Sequence, residues 1–162
     1  MSGVSRALAP ATVAGLFWLA GCAANPSPIG EFRMTPAEIE AIPSGGAGPG
    51  SSGVSGIQTT VLNGDPTGSG PYTIRISVPP HTRIQAHTHR DSRTAVVVSG
   101  AWYFGYGPQA QEGSVKPLPP GSFYSEPAGV PHFALTRDQP AVVYIFGAGP
   151  TDTVFTAVGD AP

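Results

Sequence analysis

Tyr72-Thr73-Ile74-Arg75-Ile76-Ser77-Val78 alternates apolar and polar residues without a break. Successive side chains on a β-strand point to opposite faces, so this run sets Tyr72, Ile74, Ile76 and Val78 on a single apolar face. The rest of the chain from Ile57 onward repeats the pattern in short pieces. Strands are predicted over residues 57–62, 72–78, 84–89, 94–99, 102–106, 122–126, 132–136, 142–146 and 153–158. Between them lie turn residues: Asn63-Gly64-Asp65-Pro66, Pro79-Pro80, Ser99-Gly100, Pro119-Pro120-Gly121 and Gly147-Ala148-Gly149-Pro150. No helical period appears after Ile42. Eight or nine short strands at this spacing predict an all-β domain, either a barrel or a two-sheet jelly roll.

The 162 residues are enough for one domain with a proper core. A net charge of −2 and a charged fraction of 11% leave no basic field for a nucleic-acid partner. The 22 glycines and 19 prolines are a turn-rich composition, and the 40% hydrophobic content marks it as folded.

The amino-terminal residues 1–21 read as a secretory signal: Arg6, an apolar stretch from Leu8 to Leu19, then Leu19-Ala20-Gly21-Cys22. The apolar stretch is too short for a spanning helix. The Leu-Ala-Gly-Cys run resembles a bacterial lipobox; the plainer alternative is an ordinary cleaved signal. The resemblance implies lipidation of Cys22 and a membrane lipid anchor, each buried methylene contributing about 0.8 kcal/mol. It also implies a cell-envelope lipoprotein on the periplasmic side. Ala23, rather than aspartate, follows the cysteine, which in Gram-negative bacteria implies the outer membrane. Lipidation would consume the only cysteine, so no disulfide framework is expected. Residues 22–56 read as a flexible tether rich in Gly, Pro and Ser, with one or two helical turns at Thr35-Pro36-Ala37-Glu38-Ile39-Glu40. The barrel domain is then residues 57–162.

Chemistry concentrates in His87-Thr88-His89 and in His132, forty-odd residues later. His87 and His89 fall on one face of a strand about 7 Å apart, close enough to close on one ion, with a third imidazole from a neighbouring strand. His81 fits no such pattern and reads as a surface residue. In Trp102-Tyr103-Phe104-Gly105-Tyr106 the inward residues read as core, with a pocket floor as the lesser alternative. There is no nucleophile elbow, phosphate loop or CxxC. No carboxylate pair is spaced for acid–base work, so any catalysis would run through a metal.

The first segment runs His-Thr-His, three residues, Arg93, six residues, Gly100. The second runs Gly121, five residues, Pro127, one residue, Gly129, two residues, His132, three residues, Thr136. Together they resemble the paired motifs of the cupin superfamily: HxH, Glu and Gly, then GxxxxxPxGxxHxxxN. A looser likeness to small bacterial single-domain cupins extends through GDPTGSGPYTIRI and VSGAWYFGYG. The resemblance implies a double-stranded β-helix, a jelly-roll barrel with the ligand site inside. It also implies metal ligands at His87, His89 and His132, and a tendency to pair as homodimers. The cofactor would be one divalent transition metal: Fe, Zn, Mn or Ni.

Arg93 stands where most members carry the fourth ligand, a glutamate. A guanidinium cannot ligate a metal or lose its charge. Four readings stay open. The site is a bare three-histidine centre; or Glu126 or Asp91 approaches the metal or neutralises Arg93; or Arg93 anchors an anionic substrate; or it pairs with a surface acid at the barrel mouth. The expected function is a membrane-tethered metal-binding cupin acting on or binding an unidentified small molecule, as an oxygenase or isomerase. The alternative is a non-catalytic module for sensing or storage.

Overall fold

The computed structural model describes residues 30–48 and 50–156. The signal segment, Cys22, tether residues 23–29 and the chain end from 157 lie outside the described residues. Among the described residues there are ten strands: β1 (Gln58–Asn63), β2 (Gly70–Val78), β3 (Arg83–Thr88), β4 (Arg93–Gly100), β5 (Trp102–Tyr106), β6 (Lys116–Leu118), β7 (Phe123–Glu126), β8 (His132–Leu135), β9 (Ala141–Gly149) and β10 (Val154–Phe155). They form two five-stranded antiparallel sheets, ordered β1-β2-β9-β4-β7 and β10-β3-β8-β5-β6. This is the all-β jelly-roll barrel expected. No helix of the described residues is long and apolar enough to cross a membrane.

The alternation that predicts β2 is kept in its burial. Tyr72, Ile74, Ile76 and Val78 are buried, with the residues between them half-exposed. They meet Ala95 and Val97 of β4, Val143 and Ile145 of β9, and Trp102 and Phe104 of β5 in one core. Each fully buried Ile or Val contributes about 1.5–3 kcal/mol. Trp102 and Phe104 are core, as period two requires, whereas Tyr106 on the same face is exposed at the end of the strand.

Two sequence expectations need correction. β6 was missed because Pro117 sits inside a three-residue run; it survives as an edge strand paired only with β5. The end of the tether nearest the barrel is not free coil. Gly45 and Thr59 exchange backbone hydrogen bonds of 2.8 and 2.9 Å, and Ser51 and Ser52 are buried. The helix α1 (Pro36–Glu40) carries the expected proline and a Thr35–Glu38 capping box. Its Glu40 pairs with Arg75 on β2, so this segment lies against the sheet.

Gly100 turns the chain from β4 into β5 with φ +79°, and a Cβ there would sit 1.8 Å from the Pro140 carbonyl oxygen. Both the conformation and the space demand glycine. Gly100→Ala should therefore cost about 3 kcal/mol, read as a lower urea midpoint with an unchanged slope; an unmoved midpoint would contradict this turn.

Candidate metal centre

The three motif histidines come from one sheet. His87 lies on β3, His89 just past its end, and His132 opens β8 directly opposite His87 in the register. All three are buried. Ring centroids lie 4.8 Å (His87–His89), 4.4 Å (His87–His132) and 5.1 Å (His89–His132) apart. One ligand atom from each falls within 4.8 Å of the others, so the cluster is able to hold a metal ion.

Backbone carbonyls fix which nitrogen faces inward. Nδ1 of His87 meets the Gln85 carbonyl at 2.8 Å, Nδ1 of His132 meets that of Val130 at 3.0 Å, and Nδ1 of His89 meets that of Asp152. A carbonyl only accepts, so each Nδ1 carries the proton and each Nε2 keeps a lone pair. Nε2 of His132 is buried with no hydrogen-bond partner among the described residues. An orphan acceptor of this kind fits a metal ligand. Burial, with the nearby His132, lowers His87 to about 3; burial, then Arg93, lowers His89 to about 4. Burial also lowers His132. At neutral pH the rings are uncharged, the form that binds metals.

The other sheet supplies Arg93 and Glu126, cross-strand partners at the start of β4 and the end of β7. Arg93, 3% exposed, is not at a surface mouth, which corrects that reading. Its Nε donates to Glu126 Oε2 at 2.6 Å, and its Nη2 pairs with the same oxygen. Nη1 donates to the Gly50 carbonyl at 2.7 Å, and Nη2 also donates to His89 Nε2 at 2.6 Å. Glu126 therefore neutralises Arg93, one of the options left open by the sequence. Its Oε2 also stands 3.8 Å from His89 Nε2 and 3.7 Å from His132 Nε2. Burial alone would raise the Glu126 carboxyl, but Arg93, then His132 and His89, hold it below the ordinary value.

Asp91 is placed elsewhere. Tyr72 donates to one carboxylate oxygen at 2.7 Å and Thr151 to the other at 2.6 Å. It braces the loop after His89 and is no ligand candidate. Thr136, at the motif's asparagine position, accepts from Thr82 and donates to the Pro79 carbonyl, tying down the end of β8. His81 is exposed. No sequence pattern points to Asp152, which Arg90 grips through its backbone N–H and Nε, nor to Gly50 and Ser52. These contacts span about sixty residues or join the tether to the barrel, beyond any local pattern.

His87, His132 and Glu126 line an inner cavity of about 20 Å³, shared with Ser52, Phe104 and Tyr124. That is room for roughly one water. Outside it, a cleft of about 460 Å³ opens between β6 and β7, lined by Tyr106, Lys116 and Phe123 and again by Phe104 and Tyr124.

No protein-family model and no curated protein sequence matches the chain. Solved structures do resemble it. The polyketide cyclase RemF from Streptomyces resistomycificus is 17% identical, covers 78% of this chain and 89% of its own, and gives a TM-score of 0.56. An RmlC-like cupin from Shewanella frigidimarina NCIMB 400 is 18% identical over 75% of this chain and 94% of its own, with a TM-score of 0.55. The chain spans 50% of the length of a chain described with DMSP lyases, at 21% identity, 65% coverage of this chain and a TM-score of 0.48. The first two likenesses are of fold alone.

The buried ion pair gives a direct test. Glu126→Gln should cost about 3–5 kcal/mol, because it leaves a guanidinium buried without its counter-charge. Arg93→Met with Glu126→Leu should recover most of that in urea unfolding. A double variant as unstable as the two single losses added together would show that the residues do not act as a pair.

Proposed function

We propose that this chain is a metal-binding cupin whose centre is His87, His89 and His132, carried outside the inner membrane on a lipid anchor at Cys22. The observation that carries the metal reading is the set of three inward Nε2 atoms, each with its Nδ1 pinned by a backbone carbonyl. Glu126 supplies a carboxylate beside them, so the donor set is three imidazoles with an acid at hand. Such a set suits zinc, iron, nickel or manganese. Arg93 is the opposing element: its hold on His89 Nε2 has to be released before that nitrogen can ligate.

A bound metal would supply Lewis acidity or a redox site within a water-sized chamber. The chain's own residues keep the imidazoles neutral, fix their tautomers and exclude bulk water through Trp102, Phe104 and Ile145. The closed chamber favours binding of a metal with a very small ligand over conversion of a bulky substrate. The enzymatic reading, an oxygenase or isomerase, is supported by the outer cleft. Its size is that of an ordinary small-molecule pocket, and Phe104 and Tyr124 line both it and the inner cavity.

Protein purified without chelators and reloaded should carry about one equivalent of a divalent transition metal, and His87→Ala with His132→Ala should reduce it below about one-tenth. Elemental analysis reads this; unchanged metal in the double variant would place the site elsewhere. Independently, Cys22→Ser should move the protein from the membrane fraction to the soluble fraction of cells. Continued sedimentation with membranes would remove the anchor.

A further inference from the structure

The segment Gly50–Ser52 enters the metal chamber from outside the barrel motifs. Two hydrogen bonds join it to the barrel, Arg93 Nη1 to the Gly50 carbonyl at 2.7 Å and Thr153 Oγ1 to the Ser51 carbonyl at 3.0 Å. Within the tether the Ser51 N–H and Oγ both donate to the Gly48 carbonyl, at 3.0 and 2.7 Å. In this strap Gly50 and Ser51 are thereby fixed to the barrel immediately before Ser52. Ser52 is 5% exposed, lines the chamber, and its Oγ has no hydrogen-bond partner among the described residues.

A buried hydroxyl without a partner is costly. The chamber holds a second such atom, His132 Nε2. Most of the remaining lining is apolar: Ile76, Ile84, Trp102, Phe104 and Ile145 among it. Two orphan polar atoms, a carboxylate at Glu126 and space for about one water satisfy the conditions for a single held solvent molecule.

We infer that Ser52 caps a small-ligand site over the three-histidine centre. The site takes water, hydroxide or a comparably slender anion on the metal, and the strap shuts out organic rings. Ser52 acts as hydrogen-bond donor to that ligand, and so is a specificity-determining residue contributed by the tether. This rests on the metal reading above.

The test uses full-length protein loaded with Co(II), titrated with azide and followed by its visible absorption bands. Ser52→Ala should weaken azide binding about tenfold, the loss expected for a hydrogen bond to a charged acceptor. Ser52→Thr, which keeps the hydroxyl, should stay close to wild type. Imidazole, too wide for the chamber, should leave the wild-type spectrum unchanged. Equal azide affinity in wild type and Ser52→Ala, with Co(II) bound in both, overturns the role of Ser52 and leaves the metal centre standing. Imidazole binding as readily as azide overturns the closed chamber. A wild-type chain that takes up no Co(II) overturns the metal reading and this inference together.

Discussion

A guanidinium buried in the barrel is the constraint around which the centre is arranged. Arg93 cannot shed its charge, so the fold must surround it with acceptors. Glu126 comes from the neighbouring strand, His89 from the opposite sheet and the Gly50 carbonyl from the tether. One side chain thus joins both sheets and the strap at a point. The acid that balances Arg93 stands directly across the ladder, in register. Its carboxylate lies near the inward nitrogens of His89 and His132.

The histidines show how backbone geometry sets chemistry. Which nitrogen each ring turns inward depends less on neighbouring side chains than on the carbonyls of Gln85, Val130 and Asp152. Two of those carbonyls lie two residues before the ring they hold, a relation built into the local turn. The third is reached only because Arg90 clasps Asp152 and brings that loop over His89. In the second motif, Gly129 at φ +70° lets the chain fold back so that its N–H meets the His89 carbonyl. The two motifs are tied to each other by backbone before any ion is considered.

Much of this was legible in the sequence. Period-two alternation located nine strands, and residues 102–106 were placed without error, because their turns are marked by glycine and proline. The motif spacing picked out His87, His89 and His132, which do converge. Less legible were the contacts that depend on register and tertiary closure. Glu126 could be nominated but not placed until the β4–β7 ladder was known. Asp91 looked available from its position in a loop, yet Tyr72 and Thr151 occupy both its oxygens. The composition of residues 44–53 read as coil because Gly and Ser bury little by themselves. Gly50, Ser51 and Ser52 are buried all the same, because the barrel offers them a guanidinium and a gap.

The Gly45–Thr59 bridge has a mechanical consequence. A pull on the chain ahead of α1 would meet the Glu40–Arg75 pair first, then the paired hydrogen bonds of Gly45 and Thr59, and only then Gly50. These contacts work as strain relief does on a cable. Load arriving along the chain ahead of α1 is shed into β1 and β2, and Gly50–Ser52 stays seated.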